Sequence, residues 1–170
     1  RTGKELPLTM KLICSKSNLL QGVNIVSKAV PTRTTMAILE CILIDASSDE
    51  IKLIANDMEL GIETIIEGDI VENGIIALDA KIFSEIVRKL PDNEVVIETD
   101  ASFKTVITCE KAKFNIPGQS GEDFSYLPQI ERSDSILISH SFSNSALSAA
   151  TFCRMIPVRR KCILKNKQVS

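Results

Sequence analysis

The sequence predicts an α+β domain in which two helices pack on one side of an antiparallel sheet, in the order strand, helix, four strands, helix, three or more strands. Three observations predict it. Only two segments carry apolar residues at helical spacing, and a proline stops each. The remaining apolar runs are short and β-branched, and many alternate with polar residues. The strands are joined mostly by links of two to five residues, which suit hairpins and are too short for parallel crossovers.

Taken in order, residues 10–14 form a first strand. Residues 17–30, SNLLQGVNIVSKAV, place Leu19, Leu20, Val23, Val26 and Val30 on one stripe behind a Ser17 cap, and Pro31 ends the run. Strands are expected near 38–46, 50–56, 60–68 and 74–78; in EIKLIAND, Ile51, Leu53 and Ala55 face one way and Lys52 the other. The second helix, 79–90, starts at an Asp79 cap, gathers Ile82, Phe83, Ile86, Val87 and Leu90 on one face and ends at Pro91. Lys81, Ser84, Glu85 and Arg88 take the opposite face. Strands near 94–99, 103–109 and 112–116 follow. A helix followed by about four strands thus occurs twice, although residue identities do not repeat. Beyond Ile138 the chain turns Ser- and Ala-rich and then basic, and no element is assigned to 140–170.

Composition narrows the function. Of 170 residues 44% are hydrophobic and 4% aromatic, with no Trp, so the chain has an aliphatic core and enough material for one domain or slightly more. No apolar run is long enough for a bilayer and the start has no signal-peptide pattern, so a cytoplasmic protein with no membrane partner is expected. The five cysteines form no CxxC pair and sit in apolar runs, as free thiols do in a reducing compartment.

Catalytic and metal motifs are missing. The single histidine, His140, lies between serines with no nucleophile turn, and neither HExxH, DxDxDG nor a phosphate loop occurs. Gly118 and Gly121 in PGQSGED form a polar turn. The acids at Asp57 and Glu59, and at Glu122 and Asp123, read as solvated loops, so no catalytic residue, cofactor or metal is assigned.

Charge gives the positive clue. The net charge of −2 divides into +6 for residues 140–170, +1 for 1–9 and −9 for 10–139. Within 10–139, the helical stretches 16–33 and 80–90 together carry +5, from Lys16, Lys28, Arg33, Lys81, Arg88 and Lys89 against Glu85. Cations on helices and acids on strands suit contact between the helices and a phosphate backbone, which supplies affinity without reading bases. Simple solubilisation of two outer helix faces would leave a similar count.

Four segments carry a resemblance. MKLICSKSNLLQGVNIVSKAVPTRTTMAILECILI (10–44), LDAKIFSEIVRKLP (78–91), CEKAKFNIPGQSGEDFSYLP (109–128) and SILIS (135–139) resemble, in order, the amino-terminal part of the bacterial β sliding clamp, the processivity subunit of DNA polymerase III. The resemblance implies a DNA-clamp domain over 10–132, the first strand of a second domain at 133–139, a leader at 1–9 and an unmatched basic tail, consistent with a truncated or frame-shifted end, at 140–170. It implies a ring of two subunits that encircles duplex DNA with helices inward, tethers the polymerase in DNA replication, and is not an enzyme by itself.

Residue by residue, the resemblance places Arg33, Lys81 and Arg88 at DNA-contacting positions; Lys16 and Lys28 are added by helix geometry. It places Lys111, Lys113, Phe114 and Ile116 where a second subunit docks, although Phe114 and Ile116 also read as ordinary core. The polymerase III catalytic subunit and the clamp loader are the further partners it implies, through domains absent from this chain, so that the chain alone is expected neither to close a ring nor to hold polymerase. The alternative is a non-catalytic, self-associating scaffold domain without DNA binding.

Overall fold

The computed structural model describes residues 9–58, 61–124, 136–139, 151–158 and 161–168. Strand β1 (Met10–Ser15) leads into helix α1 (Lys16–Val26), followed by β2 (Cys41–Asp45), β3 (Ile51–Asn56), β4 (Gly61–Ile66), β5 (Gly68–Glu72) and β6 (Ile75–Asp79). Helix α2 (Ala80–Lys89) and strands β7 (Glu94–Thr99), β8 (Lys104–Cys109) and β9 (Ala112–Ser120) complete the main body. Short 3-10 turns follow α1 at Ser27–Ala29 and precede β2 at Ala37–Glu40. Strands β10 (Ile136–Ser139), β11 (Thr151–Val158) and β12 (Lys161–Gln168) lie in the stretch where sequence patterning supplied only the first.

Both helices start as side-chain chemistry dictates. Ser15 Oγ accepts from the Asn18 amide at 3.2 Å and Asp79 Oδ1 from the Ile82 amide at 2.8 Å, each satisfying a donor that the helix leaves unpaired. The first cap is therefore Ser15 and not Ser17: β1 runs directly into α1, and the cap falls on the last strand residue. Pro31 and Pro91 stand beyond the helix ends, as expected.

Leu19, Val23 and Val26 of α1 and Phe83, Val87 and Leu90 of α2 are buried in one cluster with alternate residues of the strands, including Leu12, Ile42, Leu53, Ile97 and Ile107. Both helices thus cover the same side of the sheet, as predicted. The other side carries a smaller cluster in which Phe124 packs on Cys41, Leu43, Ile54 and Ala77.

The strand order is β10-β11-β12-β4-β3-β2-β6-β9-β8-β7-β1-β5, antiparallel throughout except where β12 runs parallel to β4. Strand β5 was missed by sequence patterning, which ended the segment at residue 68. Its residues are mostly exposed on both faces, so it shows no alternation to read.

The twofold rhythm of the sequence has a structural basis in the register. Gly68 of β5 pairs with Cys14 of β1, and Gly118 of β9 pairs with Leu78 of β6. Cys14 and Leu78 each precede a helix cap, so the halves β1-α1-β2-β3-β4-β5 and β6-α2-β7-β8-β9 correspond, with the end of β9 in the place of β5. The correspondence extends through the sheet: Leu53 pairs with Thr64 as Ile107 pairs with Phe114, and Ile54 with Glu63 as Thr108 with Lys113. The two halves are therefore related by an approximate twofold axis that passes between the helices.

Candidate nucleic-acid face and subunit edge

The helices contact each other side by side, running in opposite directions. Ser27 Oγ lies 3.4 Å from Ser84 Oγ, and Arg88 Nη2 reaches Asn24 Oδ1 at 3.5 Å, the outer limit of a hydrogen bond. Ser84 is consequently buried, at 8% exposure, in the seam between helices, a correction to its expected place on the polar face. Ile82, expected on the apolar face, is 47% exposed on the flank of α2 away from α1. The core stripe of α2 is narrower than its sequence suggests because α1 occupies one of its shoulders.

What remains on the outward surface of α2 is Lys81, Glu85, Arg88 and Lys89, all exposed. Arg33, in the connection after α1, and Lys28, in its 3-10 turn, are exposed as well. Among the described residues Lys11 pairs with Glu98 at 2.7 Å, on the strands, and Lys89 with Glu85 at 3.8 Å, whereas Lys28, Arg33 and Lys81 are in neither pair. Lys16 differs from the others. It is half-buried at the first position of α1, its amide bonds the Asn93 carbonyl, and its charge acts on Cys109, which sets it at the rim of the helix layer rather than on the outward row.

The first turns of both helices break a local rule. Neither contains an acid, and Lys16 and Lys81 stand where the helix dipole is positive. A cation there opposes the dipole by roughly 0.3–1 kcal/mol, whereas Arg88 and Lys89 in the last turn of α2 are favoured by it. The Asp79 carboxylate at the N-cap offsets this at the start of α2, so α1, capped by Ser15, is the helix that begins with a cation and no anion.

The second candidate site lies at the sheet edge. Residues 112–116 of β9 pair with β8 on one side, and among the described residues no strand pairs with their other side. Lys111 and Lys113 are exposed there, and Phe114 is half-buried against the core. Ile116 is 0% exposed and belongs to the domain's own core. Period-two alternation puts Ala112, Phe114 and Ile116 inward together, and the depth of the core increases from the first to the last. Met36, Met58 and Val71 are further exposed apolar side chains, and sequence patterning singled out none of them.

No group of three His, Cys, Asp or Glu side chains among the described residues is arranged to hold a metal. Cys14, Cys41 and Cys109 are free and buried. Burial pushes the Cys14 thiol up to about 12, and burial together with the neighbouring Asp79 and Glu40 pushes Cys41 up to about 11, so both stay protonated and unreactive near neutrality. Glu122 is exposed on a 3-10 turn, and His140 lies outside the described residues. No helix among the described residues is long and apolar enough to cross a membrane.

Comparison with known proteins agrees with the geometry. The model of the family described as DNA polymerase III beta subunit, N-terminal domain, matches residues 10–128. The chain is 36% identical over 151 residues to the beta sliding clamp of Synechocystis, covering 84% of this chain and 39% of that protein. It is 41% identical over 137 residues to the beta sliding clamp of Bacillus subtilis, covering 76% and 36%. Among solved structures, one of a DNA polymerase III beta subunit from Eubacterium rectale superposes with a TM-score of 0.74 at 83% identity, over 76% of this chain and 36% of that one. The Bacillus subtilis sliding clamp superposes with a TM-score of 0.71 at 40% identity. The chain thus spans a little over a third of the length of the relatives it matches.

Proposed function

We propose, from the premise that this chain belongs to the DNA polymerase III beta subunit family through that family's N-terminal domain, that it is the DNA-facing first part of a replication processivity factor. In this reading the helix layer lines the hole of a ring and touches duplex DNA through Arg33, Lys81, Arg88 and Lys28, with Lys16 contributing from the rim. The contacts go to phosphates, carry no sequence preference and are individually weak, which permits sliding. The observation that carries the reading is the charge division: +5 on residues 16–33 and 80–90, and acids on the strands.

The open β9 edge is the docking site for a second subunit. Its backbone donors and acceptors offer strand-edge pairing, Lys111 and Lys113 supply charge, and Phe114 the apolar contact. The polymerase catalytic subunit and the clamp loader are held by parts of the protein outside this segment. In this reading the chain performs no chemistry itself, and nucleotidyl transfer belongs to the polymerase that the whole cytoplasmic clamp tethers.

The test replaces Arg33 and Lys81 together by Ala in a full-length clamp carrying residues 10–128 of this chain. The expected outcome is unchanged melting and dimerisation with a shorter residence on circular DNA and a shallower dependence on salt, because fewer cations meet phosphate. Unchanged residence at low salt refutes the assigned face, and dimerisation with no DNA retention in the parent favours a self-associating scaffold instead.

A further inference from the structure

We infer that Glu85 is a counterweight built into the outward face of α2: a carboxylate that keeps the grip of the neighbouring cations on phosphate loose enough for movement along the duplex. The inference rests on the DNA-facing reading of the helices and adds to it a residue whose part is to weaken binding.

Glu85 is the only acid in residues 16–33 and 80–90, and it falls within the row formed by Lys81, Arg88 and Lys89. Its side chain is 69% exposed and its carboxylate lies 3.8 Å from Lys89 Nζ, one helical turn further on. An ion pair this open contributes little to folding. The stability of α2 has other sources in the Asp79 cap and the buried Phe83, Val87 and Leu90. The approximate twofold axis supplies an internal control. Counting from the caps, the position of Glu85 in α2 is that of Gln21 in α1, so the fold accepts the neutral amide of the same length at this place. The charge, not the shape, is what α2 adds.

The consequence for phosphate follows from Coulomb's law. A phosphate approaching Lys81 or Arg88 is repelled by a carboxylate on the same helix face, and Lys89 is partly neutralised before the phosphate arrives. Both effects are screened over about 10 Å at ordinary salt, so they act on phosphates close to α2 and weaken as salt rises.

The test titrates the 170-residue chain, Glu85→Gln and Arg88→Ala with a short duplex, following amide chemical shifts and fluorescence anisotropy from about 20 to 150 mM salt. Glu85→Gln is expected to bind roughly three- to tenfold tighter at the lowest salt, with a log–log salt slope steeper by about one as Lys89 joins the contacting cations; Arg88→Ala is expected to be shallower by about one. If Arg88→Ala weakens binding and Glu85→Gln matches the parent, the counterweight is wrong and the DNA-facing reading stands. If Glu85→Gln tightens binding equally at every salt concentration, the effect is not electrostatic and the inference fails. If the parent and both variants show no binding at any salt, the inference falls together with the reading beneath it.

Discussion

Replacing Gly118 by Ala tests the bend through which β9 passes from β8 to β6. A Cβ at this position would lie 2.7 Å from the Phe103 carbonyl oxygen and 2.7 Å from Ile76 Cδ1, well inside van der Waals contact. The Ile76 side chain is fully buried, and the carbonyl belongs to the backbone and already accepts from the Gly118 amide at 2.8 Å. Neither neighbour yields freely. Overpacking of this kind costs about 1–3 kcal/mol, and stretching the amide–carbonyl bond adds up to ~1 kcal/mol. The substitution recovers about 0.4–1 kcal/mol by restricting the unfolded chain. The net expectation is a loss of roughly 1–3 kcal/mol, which lowers the melting temperature by about 2–4 °C for each kcal/mol in a chain of this size. Urea denaturation and calorimetry measure it, with exposed Gln119→Ala as a neighbour expected to stay within ~0.5 kcal/mol of the parent. A Gly118→Ala protein that melts at or above the parent would refute the close-approach argument.

Two further predictions concern the core. Phe83→Ala empties one of the largest fully buried side chains, beneath α2, and is expected to cost about 3–5 kcal/mol in urea denaturation; a loss below ~1 kcal/mol would show that α2 is not held by its buried face. The thiols of Cys14 and Cys41 have folded pKa values of about 12 and about 11, above their unfolded value near 9. Their contribution to stability is therefore complete below about pH 9 and is lost as the pH rises towards 11 and 12, because only the unfolded chain ionises in that window. Denaturation midpoints should fall from pH 9 to 10.5, and less so in Cys14→Ala; a flat profile would contradict the burial of these thiols.

Much of the architecture is legible in the sequence because period and punctuation coincide: Asp79 and Pro91 frame α2, and the strands 94–99 and 104–109 alternate cleanly. What escapes is whatever depends on a neighbour the pattern cannot see. Ile82 is apolar and exposed, and Ser84 polar and buried, because α1 lies against one shoulder of α2 and leaves the other open. Strand β5 has little alternation because it is an edge with both faces mostly wet. The cations of the candidate site were visible as a charge count, but only the fold separates Lys16 at the rim from Lys81 and Arg88 on the outward row. Ile116 is buried, as its reading as ordinary core expects: the pleat turns it into the interior, while Lys113 stays outside.

The approximate twofold axis makes the domain a two-ended tile. The operation that exchanges its halves carries β4 onto the first part of β9 and keeps both helices on one side, yet the two edges differ: β12 occupies the outer side of β4, while among the described residues no strand pairs with the outer side of residues 112–116 of β9. Side chains at the matched positions differ as well: Glu63, in register with Lys165 of β12, stands on β4 where β9 carries Lys113, and Thr64 where β9 carries Phe114. The backbone is thus symmetric in its middle and unequal at its edges, which leaves residues 112–116 of β9, and not β4, to take up a further strand.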